Sequence, residues 1–344
     1  MKAIIYRAPW HLATEDRPEP GDPKGHQVVV RIRATGICGT DLGIISGQYH
    51  AKPSVILGHE SAGDVVSVGP SVTTLTPGDR VVIDPTYYCG QCFMCRSGRQ
   101  NHCELKNQTE TGVSSDGTFT THYVTEDRFL YRMSDHISYE EGSMTEPLSC
   151  TLTGIDQIRV RPEFRTVVIG AGPMGMLYSY ALAAKGLSGG VVEISPERAK
   201  MAAGVVSTNW SVYPSLKEAA LAISPRDCQL DVIVDTTGVM SSESMSVLSR
   251  GGRLLLVGLR DKAATFNPRD IVDRSLSVVG SIDSLGTFAT AHYMIQSRVV
   301  PVKRLITEHF PLSDMELALS RLGCDLKSGA ISASAQAIKV IVHP

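Results

Sequence analysis

Thr166-Val167-Val168-Ile169-Gly170-Ala171-Gly172-Pro173-Met174-Gly175 runs from an apolar segment of strand length into a turn of alternating glycines. Behind the turn, Met174, Leu177, Tyr178, Ala181 and Leu182 recur at helical spacing, and the next apolar run, Val191-Val192, ends on Glu193. Strand, glycine turn, helix, strand and acid in that order are the fingerprint of a dinucleotide-binding βαβ unit. Gly170 permits the tight turn, Gly172 lets backbone approach a pyrophosphate, and Gly175 allows helix and strand to pack closely. The helix start at Pro173 and Met174 presents free N–H groups and a partial positive charge to the phosphates. Glu193 can accept hydrogen bonds from ribose hydroxyls and repels a 2′-phosphate, so NAD is expected in preference to NADP.

Further along the chain the same grammar repeats. Short apolar runs at 190–194, 231–235, 253–258 and 276–280 alternate with helical stretches, which predicts an α/β fold with a doubly wound parallel sheet. Before about residue 153 the pattern differs. Val28-Val29-Val30-Arg31-Ile32, 62–68 and 80–83 are strand-like and separated by Pro and Gly punctuation, as in Pro77-Gly78-Asp79. After about residue 287 strand-like segments return, ending Ala337-Ile338-Lys339-Val340-Ile341-Val342. A tail resembling the start predicts a β-rich domain, 1–152 with 287–344, interrupted by the dinucleotide-binding domain at 153–286.

Four of the eight cysteines crowd together as Cys89-Gly90-Gln91-Cys92-Phe93-Met94-Cys95, with Cys103 after a gap of seven. One loop can wrap these thiolates around a single ion, and four sulfurs with no open position suit a structural zinc. An iron–sulfur cluster is the rival, but its ligand run calls for a shorter last gap and a proline after the fourth cysteine, where this chain has Glu104. Two other clusters, Cys38-Gly39-Thr40-Asp41 and Gly58-His59-Glu60, offer sulfur, imidazole and carboxylate. Three such ligands with a vacant fourth position make a catalytic zinc site, and the carboxylate is either Glu60 or the distant Glu146.

Cys38 to Asp41, Gly58-His59-Glu60, Glu146-Pro147-Leu148 and the four-cysteine loop together resemble the zinc-dependent medium-chain alcohol and polyol dehydrogenases, over essentially the whole chain. The resemblance implies a GroES-like zinc-binding catalytic domain interrupted by a Rossmann domain. It implies Cys38, His59, Glu60 and Glu146 as the catalytic metal set, Thr40 as the hydroxyl that passes the substrate's proton on, and Asp41 as the partner of His59. It sets Arg198 beside the adenosine ribose, and Val257, Gly258, Leu259 and Ser281 around the nicotinamide. The expected reaction is hydride transfer between NAD and a secondary alcohol of a polyol, sugar, cyclitol or aminocyclitol. The alternatives are a simple alcohol or amino alcohol, or a zinc-free NADPH-dependent enoyl or quinone reductase. Many relatives carry a relay histidine where this chain has Gly43. A homodimer or homotetramer follows from the same likeness.

With 344 residues the chain is too long for one ordinary core, and 42% hydrophobic with 20% charged residues places it among globular proteins. A net charge of −2 builds no field that would attract nucleic acid or an anionic membrane surface. The apolar centre of Met1 to Arg7 is too short for a secretory signal, so a cytoplasmic protein acting on a small alcohol or ketone is expected.

Overall fold

The computed structural model describes residues 1–260, 262–332 and 335–344. They form two compact units, Met1–Ser149 with Ser284–Pro344, and Cys150–Asp283. The first division falls inside the helix Thr145–Ile158.

In the first unit the central strand is Gln27–Gly36, whose alternating exposed arginines and buried Ile32 and Ala34 mark a sheet with one wet face. It pairs antiparallel with Glu60–Val68, and with His122–Glu126 along the other edge near its start. The sheet continues through Arg80–Ile83 to Leu130–Arg132. The chain's last strand, Lys339–His343, joins Gln27–Gly36 through Ile341 opposite Gly36, and carries Ile306–Pro311 on its outer edge. The tail is therefore woven into the sheet centred on Gln27–Gly36. Val28, Val30, Ile32, Val65, Val81 and Ile83 bury a common core on one side. A second core gathers Ile4, Ile5, Ile37, Ile44, Phe119, Val340 and Val342. Each such side chain contributes about 1.5–3 kcal/mol when fully buried.

The second unit is a six-stranded sheet in the order Trp210–Tyr213, Gly189–Val192, Thr166–Ile169, Leu230–Asp235, Leu248–Leu256, Ser277–Gly280. Every neighbouring pair is parallel. Chain order runs outward in one direction from Thr166–Ile169 and then in the other from Leu230–Asp235, which is the doubly wound Rossmann arrangement. Trp210–Tyr213 lay outside the expected strands, because its four residues include exposed Ser211 and form no apolar run. It is held instead by Trp210, whose indole Nε1 donates to the Leu187 carbonyl at 3.1 Å. Among the described residues no helix is long and apolar enough to cross a membrane.

Candidate active site

Cys38 ends the turn after the strand Gln27–Gly36 and caps the helix Gly39–Ile45. Its Sγ accepts the Thr40 N–H at 3.5 Å, while Asp41 reaches back to take the Cys38 N–H at 2.8 Å. This reciprocal cap fixes the thiol at the helix start and leaves Thr40 half-buried in the first turn. His59 and Glu60 lie at the start of the neighbouring strand, where Glu60 stands opposite Gly36 in the ladder. A Cβ on Gly36 would collide with the Glu60 carboxylate, so glycine is required there. Gly58 adopts φ +88° beneath the Phe119 ring, turning His59 inward.

The result is a group in which one ligand atom each from Cys38, His59 and Glu60 lies within 4.8 Å of the others. Burial opposes charge on His59. Cys38, Asp41, the hydrogen bond with Cys38 and Glu146 more than offset it, holding the imidazole pKa well above its ordinary value. Negative charge is thus concentrated around one buried ring, and its Nδ1 has no hydrogen-bond partner. Sulfur, imidazole and carboxylate in such a pocket fit a zinc-class cation.

The geometry refines two sequence expectations, for Asp41 and Glu146, and adds one residue. Asp41 Oδ1 faces His59 Nδ1 at 3.9 Å, an ion-pair rather than a hydrogen-bond distance, and the carboxylate accepts N–H groups of Cys38 and, at 3.3 Å, Gly58. Its full burial raises its pKa, the main effect on that group. Glu146, in the first turn of Thr145–Ile158, stands outside the three-residue group, although its charge is felt by His59 and Lys339. Lys339 was not singled out from the sequence at all. It is fully buried, pairs with Glu60 Oε2 and donates to the Ile37 carbonyl at 2.9 Å. A single lysine inside the apolar run Ile338 to Val342 was the available signal, since an unpaired charge does not survive there.

At Gly43 an added Cβ would lie 3.3 Å from the Tyr49 Cβ, so Tyr49 crowds the position of the missing relay histidine. His50 is exposed and stacks on Tyr49 with ring centroids 4.6 Å apart.

The four-cysteine loop closes on itself as its spacing implied. All four sulfurs lie within 4.8 Å of one another, with Cys89 to Cys95 at 3.9 Å and Cys92 to Cys103 at 4.0 Å. A tetrahedron with zinc–sulfur bonds of about 2.3 Å has edges of about 3.8 Å. Backbone N–H groups point at the sulfurs: Gln91 and Cys92 at Cys89, and Cys95 at Cys92. Hydrogen bonds from Glu104 and Cys95 pull the Cys92 thiol down to about 6, so thiolate is available for a metal. Gly90 and Gly98 supply the left-handed turns, with φ of +75° and +77°.

In the Rossmann unit, Gly170 has φ +98°, and a Cβ on Gly175 would strike the Gly170 carbonyl. Gly172 caps the helix Pro173–Ala184, with Met174 in the first turn. Glu193 accepts the Ala171 N–H at 3.1 Å through one oxygen and the Ser195 N–H at 2.9 Å through the other, tying the glycine turn to the next strand. The Arg198 guanidinium faces Gly172, 3.9 Å from where its Cβ would be, and its Nε is buried without a partner. Val257 and Gly258 donate to the Asp235 carbonyl, Leu259 is exposed, and Ser281 N–H donates to Leu256. These positions close the carboxyl ends of the strands, where doubly wound sheets take their ligands.

Residues 24–135 match the alcohol dehydrogenase GroES-like domain family and residues 139–330 the glucose dehydrogenase C-terminus family. The chain is 33% identical to the probable D-xylulose reductase A of Emericella nidulans, over 92% of this chain and 90% of that one. It belongs to the zinc-dependent alcohol and polyol dehydrogenases. Sorbitol dehydrogenase of Bacillus subtilis is 28% identical, over 100% of this chain and 97% of that one. Among solved structures, a putative zinc-binding dehydrogenase of Sinorhizobium meliloti bound to NADP superposes with a TM-score of 0.87 at 26% identity, covering 100% and 99% of the two chains. Membership in this dehydrogenase family makes the chain an alcohol dehydrogenase acting on a small molecule.

Proposed function

We propose that this dehydrogenase oxidises a secondary alcohol of a polyol, sugar, cyclitol or aminocyclitol with NAD, or reduces the corresponding ketone with NADH. The observation that carries the reading is the approach of Cys38, His59 and Glu60 ligand atoms to within 4.8 Å. That grouping favours Glu60 over Glu146 as the third zinc ligand, with Glu146 adding negative charge nearby. Cys89, Cys92, Cys95 and Cys103 would hold a second, structural zinc. The polyhydroxylated substrate class rests on the likeness to sorbitol dehydrogenase and D-xylulose reductase.

Zinc held by Cys38, His59 and Glu60 would supply Lewis acidity toward an alcohol oxygen, and NAD would supply the hydride acceptor. The chain's own part is positional. Cys38, His59 and Glu60 hold the metal, and Asp41 locks Cys38 and the Gly58 turn against each other. The Thr40 hydroxyl takes the alcohol proton as it releases its own toward solvent, acting as a relay. Glu193 accepts ribose hydroxyls and disfavours a 2′-phosphate, so NAD is read in preference to NADP; Arg198 packs beside the ribose. Val257, Gly258, Leu259 and Ser281 would border the nicotinamide. A cytoplasmic homodimer or homotetramer completes the reading, supported by Ser277–Gly280 lying at the end of its sheet, where one edge is open to a second copy.

The test is NAD reduction screened across polyols, sugars, cyclitols and amino alcohols, with and without a chelator, alongside metal analysis. Chelator-sensitive turnover of polyhydroxylated substrates by protein with both zinc sites filled supports the proposal. Turnover confined to simple alcohols refutes the substrate class, and NADPH-dependent reduction by metal-free protein refutes the mechanism.

A further inference from the structure

A third group of metal-ligating side chains lies in the first unit, built from none of the residues discussed above. Glu140 belongs to the helix Tyr139–Ser143, His309 to the strand Ile306–Pro311, and His343 to the strand Lys339–His343. The two strands run parallel, with His309 opposite Ile341 and Pro311 opposite His343, so the histidines share a face and their rings stack at 5.6 Å. His343 Nε2 lies 3.4 Å from His309 Nδ1 and 3.7 Å from Glu140 Oε1, and the three ligand atoms are all within 4.8 Å of one another.

Hydrogen bonding settles what these atoms present. His343 Nδ1 is 2.9 Å from the Arg33 carbonyl, which can only accept, so the proton of a neutral ring is on Nδ1. Nε2 then carries a lone pair aimed at His309 and Glu140. An imidazole held through one nitrogen by a backbone carbonyl, with the other free, is the state in which proteins present histidine to metals. Glu140 turns a carboxylate oxygen, Oε1, toward the same Nε2 nitrogen. Imidazole nitrogens of both histidines and a carboxylate oxygen of Glu140 thus surround one small space.

We propose that Glu140, His309 and His343 form a further metal site that takes a zinc-class divalent cation and clamps one helix to the two outer strands of the sheet. Zinc with ligand bonds of about 2.0–2.1 Å at tetrahedral angles sets ligand atoms about 3.3 Å apart, so small side-chain adjustments close the group around the ion. Two nitrogens and one oxygen select zinc, copper or nickel over magnesium or calcium. The side chains of His343 and Glu140 are 34% and 27% exposed, which gives an ion access from solution and leaves room for water as a fourth ligand.

The experiment uses protein already saturated at its cysteine loop and at Cys38, titrated with zinc by calorimetry and followed by thermal unfolding, with magnesium as control. One additional zinc equivalent that raises the Tm is expected, because a ligand that binds only the folded state stabilises it. His309→Asn and Glu140→Gln should each weaken that equivalent by at least about 100-fold, while zinc at the cysteine loop and alcohol oxidation are retained. With copper as probe, the wild-type resonance should show coupling to two imidazole nitrogens, and His309→Asn coupling to one. Absence of an additional equivalent at neutral pH, or an equivalent that persists in both variants, overturns the proposal. The outcome is read independently of the catalytic reading, since neither variant touches Cys38, His59 or Glu60.

Discussion

Lys339 carries a full charge into a place that water does not reach. Burial alone would drive its pKa down; Glu60, Cys38 and Glu146 more than offset this and raise it. Replacing it by methionine leaves the buried Glu60 carboxylate without its cation, and breaking such a pair costs about 3–5 kcal/mol. Urea denaturation of Lys339→Met should show that loss, and the double variant with Glu60→Gln should recover most of it. If the single variant is as stable as wild type, Glu60 draws its compensation from elsewhere. Thr40 is the second residue whose role can be isolated. Thr40→Val should lower kcat by about 100-fold at unchanged zinc content, the scale of one lost proton-transfer group. Near-normal turnover would remove the hydroxyl from the reaction.

Elements in this fold are joined at few points, and those points respond to small changes. A methyl group at Gly175 would push the helix Pro173–Ala184 off the Gly170 carbonyl. Gly175→Ala should therefore weaken NADH binding, measurable by fluorescence titration, and cost about 1–3 kcal/mol in stability. Arg165 joins two neighbouring strands of the same sheet through Asp231, at 2.9 Å, and reaches Asp227 and Ser224 as well. Burial pushes the Asp231 carboxyl up, but hydrogen bonds from Arg165 and Ser249 more than reverse this and lower its pKa. A depressed carboxyl pKa contributes stability that is fully present above the unfolded value of about 3.9 and is lost as pH falls through the lower folded value. Stability measured against pH should show this acid-side loss in the wild type and a shallower one in Arg165→Met. Parallel curves would mean the pair adds nothing.

At the scale of the whole molecule, the catalytic and the cysteine-loop zinc sites differ in what depends on them. Limiting chelator should abolish alcohol oxidation by emptying the open site at Cys38 while far-ultraviolet circular dichroism is unchanged. Removing the loop metal through Cys103→Ser should instead lower the Tm. Loss of both properties at the same chelator concentration would contradict separate roles. The α/β class, the glycine turn and the cysteine loop were legible in the chain because each depends on local quantities: the period of apolar residues, the handedness only glycine tolerates, and a spacing short enough for one loop to enclose an ion. The family likeness reached Cys38, His59 and Glu60 from their motifs, but not the buried lysine that pairs with Glu60. Glu60 and Lys339 are 279 residues apart and meet only because the last strand pairs with Gln27–Gly36. Asp41 faces His59 as its motif implied, but that its oxygens also take the Cys38 and Gly58 N–H groups follows only once helix and strand have packed. Glu140, His309 and His343 carry no motif, since a helix from the middle of the chain and two strands near its end bring them together. Local pattern determined which elements form and which turns they make. Sheet register, a property of the folded chain alone, decided which charges face one another and so which cations the molecule can hold.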